Sequence, residues 1–275
     1  MQDVVVAFDV GATWIRGAIF SGGRILFKLR SPTPRISDGE AVSNALVDIA
    51  KTLLERAGAR PRSVGVAIFG PIDYSDGSVV NPPNHPAERI PVRGPLEDML
   101  GVPVTLVNDA VAGAWSGSQI TGSKDLVYIA LGTGVGVGVV VSGRLLLGRR
   151  GDSHEAGHIV LDYRSGSICG CGGRGHWEAL YSGRALQGRE GDPRVVAAGI
   201  ASLVACYDPE IILLGGGLVE AGLIGPSIGR LVREYSFQGR VPRILLHPLR
   251  EDANLYGAYL LAVRPTPEIL RLNGW

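Results

Sequence analysis

The chain carries the same plan twice, and that duplication limits its possible folds more than any other feature. DVVVAFDVGATWIRGAIFSGGRILF, from Asp3, and DLVYIALGTGVGVGVVVSGRLLL, from Asp125, each begin on an acidic residue and run through an apolar stretch into a Gly/Thr turn. Each returns through a second apolar stretch, turns again at Ser-Gly before an arginine, and ends in a third apolar run. Short apolar runs bounded by glycine read as buried strands, so each copy predicts a three-stranded meander. A duplicated unit is the natural reading.

Between and after the meanders the pattern alternates. Val42, Leu46, Ile49, Leu53 and Leu54 recur at helical spacing, with Asp38 as cap and Gly58 as stop. SVGVAIFG predicts a buried strand, and the proline-rich VVNPPNHPAERIP that follows has no periodicity. With Asn81, Asn84 and His85 in it, that segment reads as a binding loop more than as packing. A short helix near Leu96 to Leu100 and the strand VTLV lead to Asn108 and Asp109. A helix then opens with AVAGAW. The second half adds helices over 194–206, near 224–235 and over 254–263, with strands IILLGGG and RILLHP between them. The fold class is α/β, with two domains and a ligand cleft between them.

Composition narrows the function. The 275 residues are 45% hydrophobic, enough for a sizeable core, and the net charge of +1 gives no support to a nucleic-acid partner. Leu126 to Ser142 carries no charge, but Gly132, Gly134, Gly136 and Gly138 recur with a period of two, which fits a hairpin and argues against a membrane span. Cys169, Cys171 and Cys206 are an odd set with two crowded together, more in keeping with a metal site or reduced thiols than with a disulfide framework. With no basic leader at the N-terminus, a cytoplasmic location is expected.

In the first turn, Gly11 allows close approach of an anion, Thr13 adds a hydroxyl, and Asp9 places a carboxylate where a cation bridging phosphates could sit. That reads as a phosphate and magnesium cradle, although an ordinary hairpin turn uses the same residues. Gly132 to Gly134 would form a second phosphate turn facing the same cleft. Asp109 stands where a parallel strand ends and a helix begins, the usual position for ligand chemistry in an open α/β sheet, and equally a capping position.

DVGAT at Asp9, GPID at Gly70, the NPPNHP loop, NDA at Asn108, LGTGVGVG at Leu131, HEAGH at His154, CGCGGRGHWEALYSG at Cys169 and DPEIILLGGG at Asp208 occur in an order that resembles the ROK sugar kinases. That family lies within the actin-like, hexokinase-type ATPase superfamily. The resemblance implies two actin-like (ribonuclease H-like) domains: a smaller one over 1–110, with the helix of 254–275 packed back on it, and a larger one over 111–253. It implies ATP and magnesium as cofactors, phosphorylation of the 6-hydroxyl of glucose or a related hexose, and a homodimer. Fructose, mannose or an N-acetylhexosamine are the alternative substrates, and a non-catalytic sugar-binding regulator is the alternative class. No helix-turn-helix segment stands ahead of Asp3, so the kinase branch is expected.

By the same resemblance Asp109 is the general base, and Asn84, Asn108, Glu155, His158 and Glu178 are sugar contacts. Asp9, Gly11, Ala12, Thr13, Gly132, Thr133 and Gly134 would cradle phosphates, and Gly215, Gly216 and Gly217 would lie against adenosine. His158, Cys169, Cys171 and His176 match the family's structural zinc ligands, except that His176 replaces a cysteine. His154 has no counterpart and is expected at the surface; Cys206 is expected in a helical core face.

Overall fold

The computed structural model describes residues 4–152, 155–164 and 166–275. Two compact units share the chain: residues 1–116, 149–151 and 254–275 form one, and residues 117–148 and 152–253 the other.

In the first unit, β1 (Val4–Val10) is buried along its whole length, Asp9 included, as its apolar run from Val4 to Phe8 demands of a strand covered on both faces. β2 (Trp14–Ser21) and β3 (Arg24–Pro32) continue it as an antiparallel meander. The helix α1 (Glu40–Ala57) buries Val42, Leu46, Ile49 and Leu53, and Gly58 ends it at φ 56°, a left-handed conformation that costs glycine little. Gly39 occupies the cap position itself, with Asp38 Oδ1 accepting from the Glu40 amide at 2.9 Å. β4 (Pro61–Ile68) runs parallel to β1.

The stretch expected to be an irregular loop, 79–91, is bracketed by two strands of a small antiparallel sheet made of β5 (Ile72–Asp73), β6 (Ser78–Val80) and β7 (Arg89–Pro91). Its apolar centre is Val79, opposite Ile90 on one side and Ile72 on the other, all buried, and the prolines between Val79 and Ile90 hide that pair from any periodicity. α2 (Arg93–Leu100) then leads into β8 (Val104–Asn108), parallel to β4, and on to α3 (Asp109–Thr121). The boundary between the units falls inside α3.

The second unit repeats the order. β9 (Leu126–Leu131), β10 (Val135–Val141) and a two-residue β11 (Arg144–Leu145) form its meander. The short helices α4 (Trp177–Leu180) and α5 (Gly183–Leu186) precede α6 (Pro193–Tyr207), β12 (Ile211–Gly215), α7 (Gly217–Glu220), α8 (Ile228–Tyr235) and β13 (Arg243–Leu246). The two five-stranded sheets read β3-β2-β1-β4-β8 and β11-β10-β9-β12-β13. Numbered within each copy, both are 3-2-1-4-5, so the duplication read from the sequence is a duplication of sheet topology. Cys206 departs from expectation: α6 buries Val196, Ala197, Ile200, Leu203 and Val204, and Cys206 falls on its exposed side. None of the described helices is long and apolar enough to cross a membrane.

α9 (Ala253–Val263) and α10 (Pro267–Asn273) close the chain. A Cβ placed at Gly65 would lie 2.1 Å from the Ala258 carbonyl oxygen, so α9 rests directly on β4 in the first unit. Asn273 of α10, 4% exposed, treats the edge strand β8 as a neighbouring strand would. Its Oδ1 accepts from the Leu106 amide and from Arg93 Nη2, both at 2.9 Å, and its Nδ2 donates to the Leu106 and Ile269 carbonyls, both at 3.0 Å. Such pairing blunts a sheet edge that could otherwise recruit another strand. Asn273→Ala leaves a buried amide and carbonyl of β8 without partners, and is expected to lower unfolding free energy by about 2–4 kcal/mol; denaturant titration showing a loss under about 0.5 kcal/mol would contradict this role.

Candidate active site

The polar residues of the first unit emerge from one edge of its sheet. The parallel registers set Val10 beside Ile68 and Ile68 beside Asn108, so Asp9 and Asn108 leave the sheet at nearly the same level. They stand two strands apart, about 10 Å by strand spacing. The Gly11 amide donates to the Trp14 carbonyl at 2.9 Å and closes the turn that carries Ala12 and an exposed Thr13.

Asp9 is 4% exposed and held from two sides. Arg16 Nη1 donates to its Oδ2 at 3.0 Å, and Asn254 Nδ2 lies 3.4 Å from its Oδ1. Neither partner stands out in the sequence as a site residue. Arg16 was within reach, since in a hairpin turning at Gly11 it falls directly opposite Asp9; Asn254, 245 residues away, left no local signal.

Asn108 caps α3, its Oδ1 accepting from the Ala110 and Val111 amides at 3.0 and 3.3 Å. Asp109 Oδ1 accepts from the Ala110 amide at 2.8 Å. The cap is therefore supplied by the residue before Asp109. Asn84 is half-buried on its loop. His85, expected on a binding loop, is instead 7% exposed and structural: Nδ1 accepts from the Ala87 amide at 3.1 Å, and Nε2 meets the Pro34 carbonyl at 2.6 Å.

In the second unit the two glycine segments lie together. Gly215 pairs with Ala130 at the end of β12, and a Cβ at Gly132 would come 3.9 Å from the Gly217 amide nitrogen. The start of α5 grips the first segment, Gly183 and Arg184 donating to the Gly132 and Thr133 carbonyls at 2.7 and 3.2 Å. Gly216 is at φ 91°, where a Cβ would sit 2.4 Å from the Leu131 carbonyl oxygen.

Glu178, on α4, is buried, and its Oε2 accepts from the Val135 amide at 2.9 Å. Its Oε1 lies 3.6 Å from Cys169 Sγ. Glu155 Oε2 lies 3.6 Å from His158 Nε2. The Glu155 carboxyl is pushed up to about 7 by burial, then by the like charges of Asp152 and Glu178. Nearly half of that side chain is open to solvent, which leaves the two neighbouring carboxylates as the firmer cause. His154 lies outside the described residues.

His158, Cys169, Cys171 and His176 form one cluster, with ligand atoms all within 4.8 Å of one another. Cys169 Sγ is 3.5 Å from His158 Nδ1, and Cys171 Sγ is 3.3 Å from His176 Nδ1. A tetrahedron built on metal–sulfur and metal–nitrogen distances of about 2.3 and 2.0 Å has mixed edges of about 3.5 Å, which these two sulfur–nitrogen distances match. Burial pushes the Cys169 thiol up to about 11, a tendency that a bound cation reverses.

The model of the ROK family matches residues 5–194. The chain belongs to the ROK family. A glucokinase of Aeropyrum pernix is 36% identical, over 97% of this chain and 98% of its own. The ROK hexokinase of Thermus thermophilus superposes with a TM-score of 0.80 at 34% identity, over 94% of this chain and 98% of its own. A ROK family glucokinase from Streptomyces griseus, solved in complex with glucose and AMPPNP, gives a TM-score of 0.83 at 27% identity, over 95% and 99%. Within this ROK chain the glycine segments supply a direct test. Gly216→Ala is expected to cost about 1–3 kcal/mol of unfolding free energy, because the backbone conformation and the Leu131 carbonyl both oppose a side chain. Gly217→Ala, where nothing lies within 4 Å of the added atom, should stay within about 0.5 kcal/mol of wild type. Equal losses in thermal or chemical unfolding would contradict the packing described.

Proposed function

We propose that this chain is an ATP-dependent glucose kinase that transfers the γ-phosphoryl group to the 6-hydroxyl of the sugar. The observation that carries the reading is the near full-length likeness to a glucokinase whose structure holds glucose and AMPPNP. The strand-end carboxylates supply the chemistry. Asp109 takes the hydroxyl proton as the sugar oxygen bonds to phosphorus; the bond from phosphorus to the β–γ bridging oxygen breaks, and ADP leaves with its electron pair. Asn84, Asn108, Glu155, His158 and Glu178 hold sugar hydroxyls; carboxylates suit this role because each accepts several hydrogen bonds. Gly11, Ala12, Thr13, Gly132, Thr133 and Gly134 line the phosphates, the glycines by leaving room for close approach, and Gly215 to Gly217 lie against the adenosine. The resemblance to the family also supports a cytoplasmic homodimer.

Asp9 would hold Mg²⁺, which when bound spreads the negative charge of the phosphates. The residue fits that ion, because a carboxylate has acceptor capacity beyond its contacts with Arg16 and Asn254. The cluster of His158, Cys169, Cys171 and His176 would hold a structural zinc, in which histidine in place of the family's cysteine keeps four ligands. Its role would be to fix the segment that carries Glu178 and the ring of His158.

Asp109→Asn is expected to lower kcat by about 10²–10⁴-fold while glucose affinity, measured by calorimetry, stays within about threefold of wild type. A variant with near wild-type turnover would remove Asp109 as the base. Elemental analysis should find one zinc per chain, and Cys171→Ser should lose most of it together with thermal stability. Protein without zinc that is indifferent to a zinc chelator would refute the metal assignment.

A further inference from the structure

A segment of three residues after β3 holds both the phosphate turn and the loop of Asn84. On one side, Thr33, 4% exposed, donates its Oγ1 to the Gly11 carbonyl at 2.7 Å and its amide to the Thr13 carbonyl at 3.0 Å. Arg35 Nη1 donates to the Ala12 carbonyl at 3.2 Å. Every carbonyl of the Gly11-Ala12-Thr13 turn is thus held by this segment. On the other side, the carbonyl of Pro34, between them, meets His85 Nε2 at 2.6 Å. His85 adjoins Asn84 in the chain, its ring stacks on Phe69 at 5.9 Å, and its Nδ1 accepts from the Ala87 amide. Since Nδ1 accepts, the neutral ring carries its proton on Nε2 and donates it to Pro34.

We infer that His85 is a positioning residue that couples the sugar loop to the phosphate turn through residues 33–35, so that glucose binding tightens nucleotide binding. The inference rests on the kinase reading given above. Proline narrows the freedom of the bridge, because its ring fixes φ at position 34. A displacement of the Asn84 loop therefore reaches the Gly11 to Thr13 carbonyls along hydrogen bonds that start and end on the buried His85 and Thr33. Coupling of this kind is reciprocal: whatever factor glucose gives the nucleotide, the nucleotide gives glucose.

Two substitutions at one position separate this role from packing. In His85→Gln the amide nitrogen reaches the place of Nε2 and keeps the donor to Pro34. In His85→Asn the amide oxygen takes the place of Nδ1, which keeps the Ala87 contact and loses the link. Thr33→Val removes the side-chain bond to Gly11 on the other side of the bridge with little change of shape, and leaves the amide bond to Thr13 in place. The measurement is the dissociation constant of AMPPNP, by calorimetry, without and with saturating glucose. Wild type should show tightening within about 5–150-fold. His85→Asn and Thr33→Val should lower that factor by at least about threefold, and His85→Gln should restore it to within about twofold. A role confined to packing would lower the melting temperature of both His85 variants and leave the factor unchanged. Wild-type coupling in His85→Asn and Thr33→Val, or none in the wild type, overturns the inference. Wild-type protein that binds nucleotide but not glucose overturns the kinase reading first, and this inference with it.

Discussion

Parallel pairing of β1 with β4, and of β4 with β8, is the constraint on which the rest of the first unit depends. Strands that run the same way in register end at the same edge, and there the apolar run of each can give way to a polar residue without breaking the core. Asp9, Asn108 and Asp109 all occupy that edge, and the turn and helix that follow them inherit their direction from it. The buried interior makes the arrangement stiff. Phe8, Ile15 and Ile19 are fully buried, each side chain contributing about 1.5–3 kcal/mol through removal from water. A slip of one residue in register would turn Asp9 into that core and Val10 out of it.

The same topology recurs in the second unit with different chemistry at the strand ends. The strand ends of the second unit carry glycines, Gly132, Gly134 and Gly215 to Gly217, where those of the first carry Asp9, Asn108 and Asp109, so backbone is exposed in one copy and side chains in the other. Gly216 shows why glycine is required there, because its φ and the nearby Leu131 carbonyl leave no place for a side chain. Duplication of a fold thus yielded two different surfaces from one architecture.

Features carried by local pattern were legible in the sequence. The apolar period gave α1 and its stop at Gly58, the short apolar runs gave β1 and β9, and the repeated plan anticipated that both sheets would share an order. Features that depend on distant partners were not. β6 and β7 exist because Val79 meets Ile90 across a proline-rich loop, and nothing periodic announces that meeting. Asn254 reaches Asp9, and Asn273 reaches β8, across most of the chain. His85 looked like a ligand contact because it is polar and sits in an irregular segment, yet both of its ring nitrogens serve the backbone. Cys206 looked buried because its chain neighbours are apolar, but the helical period places it on the outer face.

In the function proposed above, a carboxylate at the edge of the first sheet and the glycine turns would serve phosphoryl transfer to a hexose. The most direct measurement is ADP release by the wild-type protein with magnesium and ATP, without sugar and with glucose, fructose, mannose or an N-acetylhexosamine, with the product analysed by NMR. The account predicts ADP release that rises at least about a hundredfold with glucose, since positioning of the acceptor supplies much of the rate, and a phosphate on carbon 6. ADP release at the same rate with and without every sugar would contradict it.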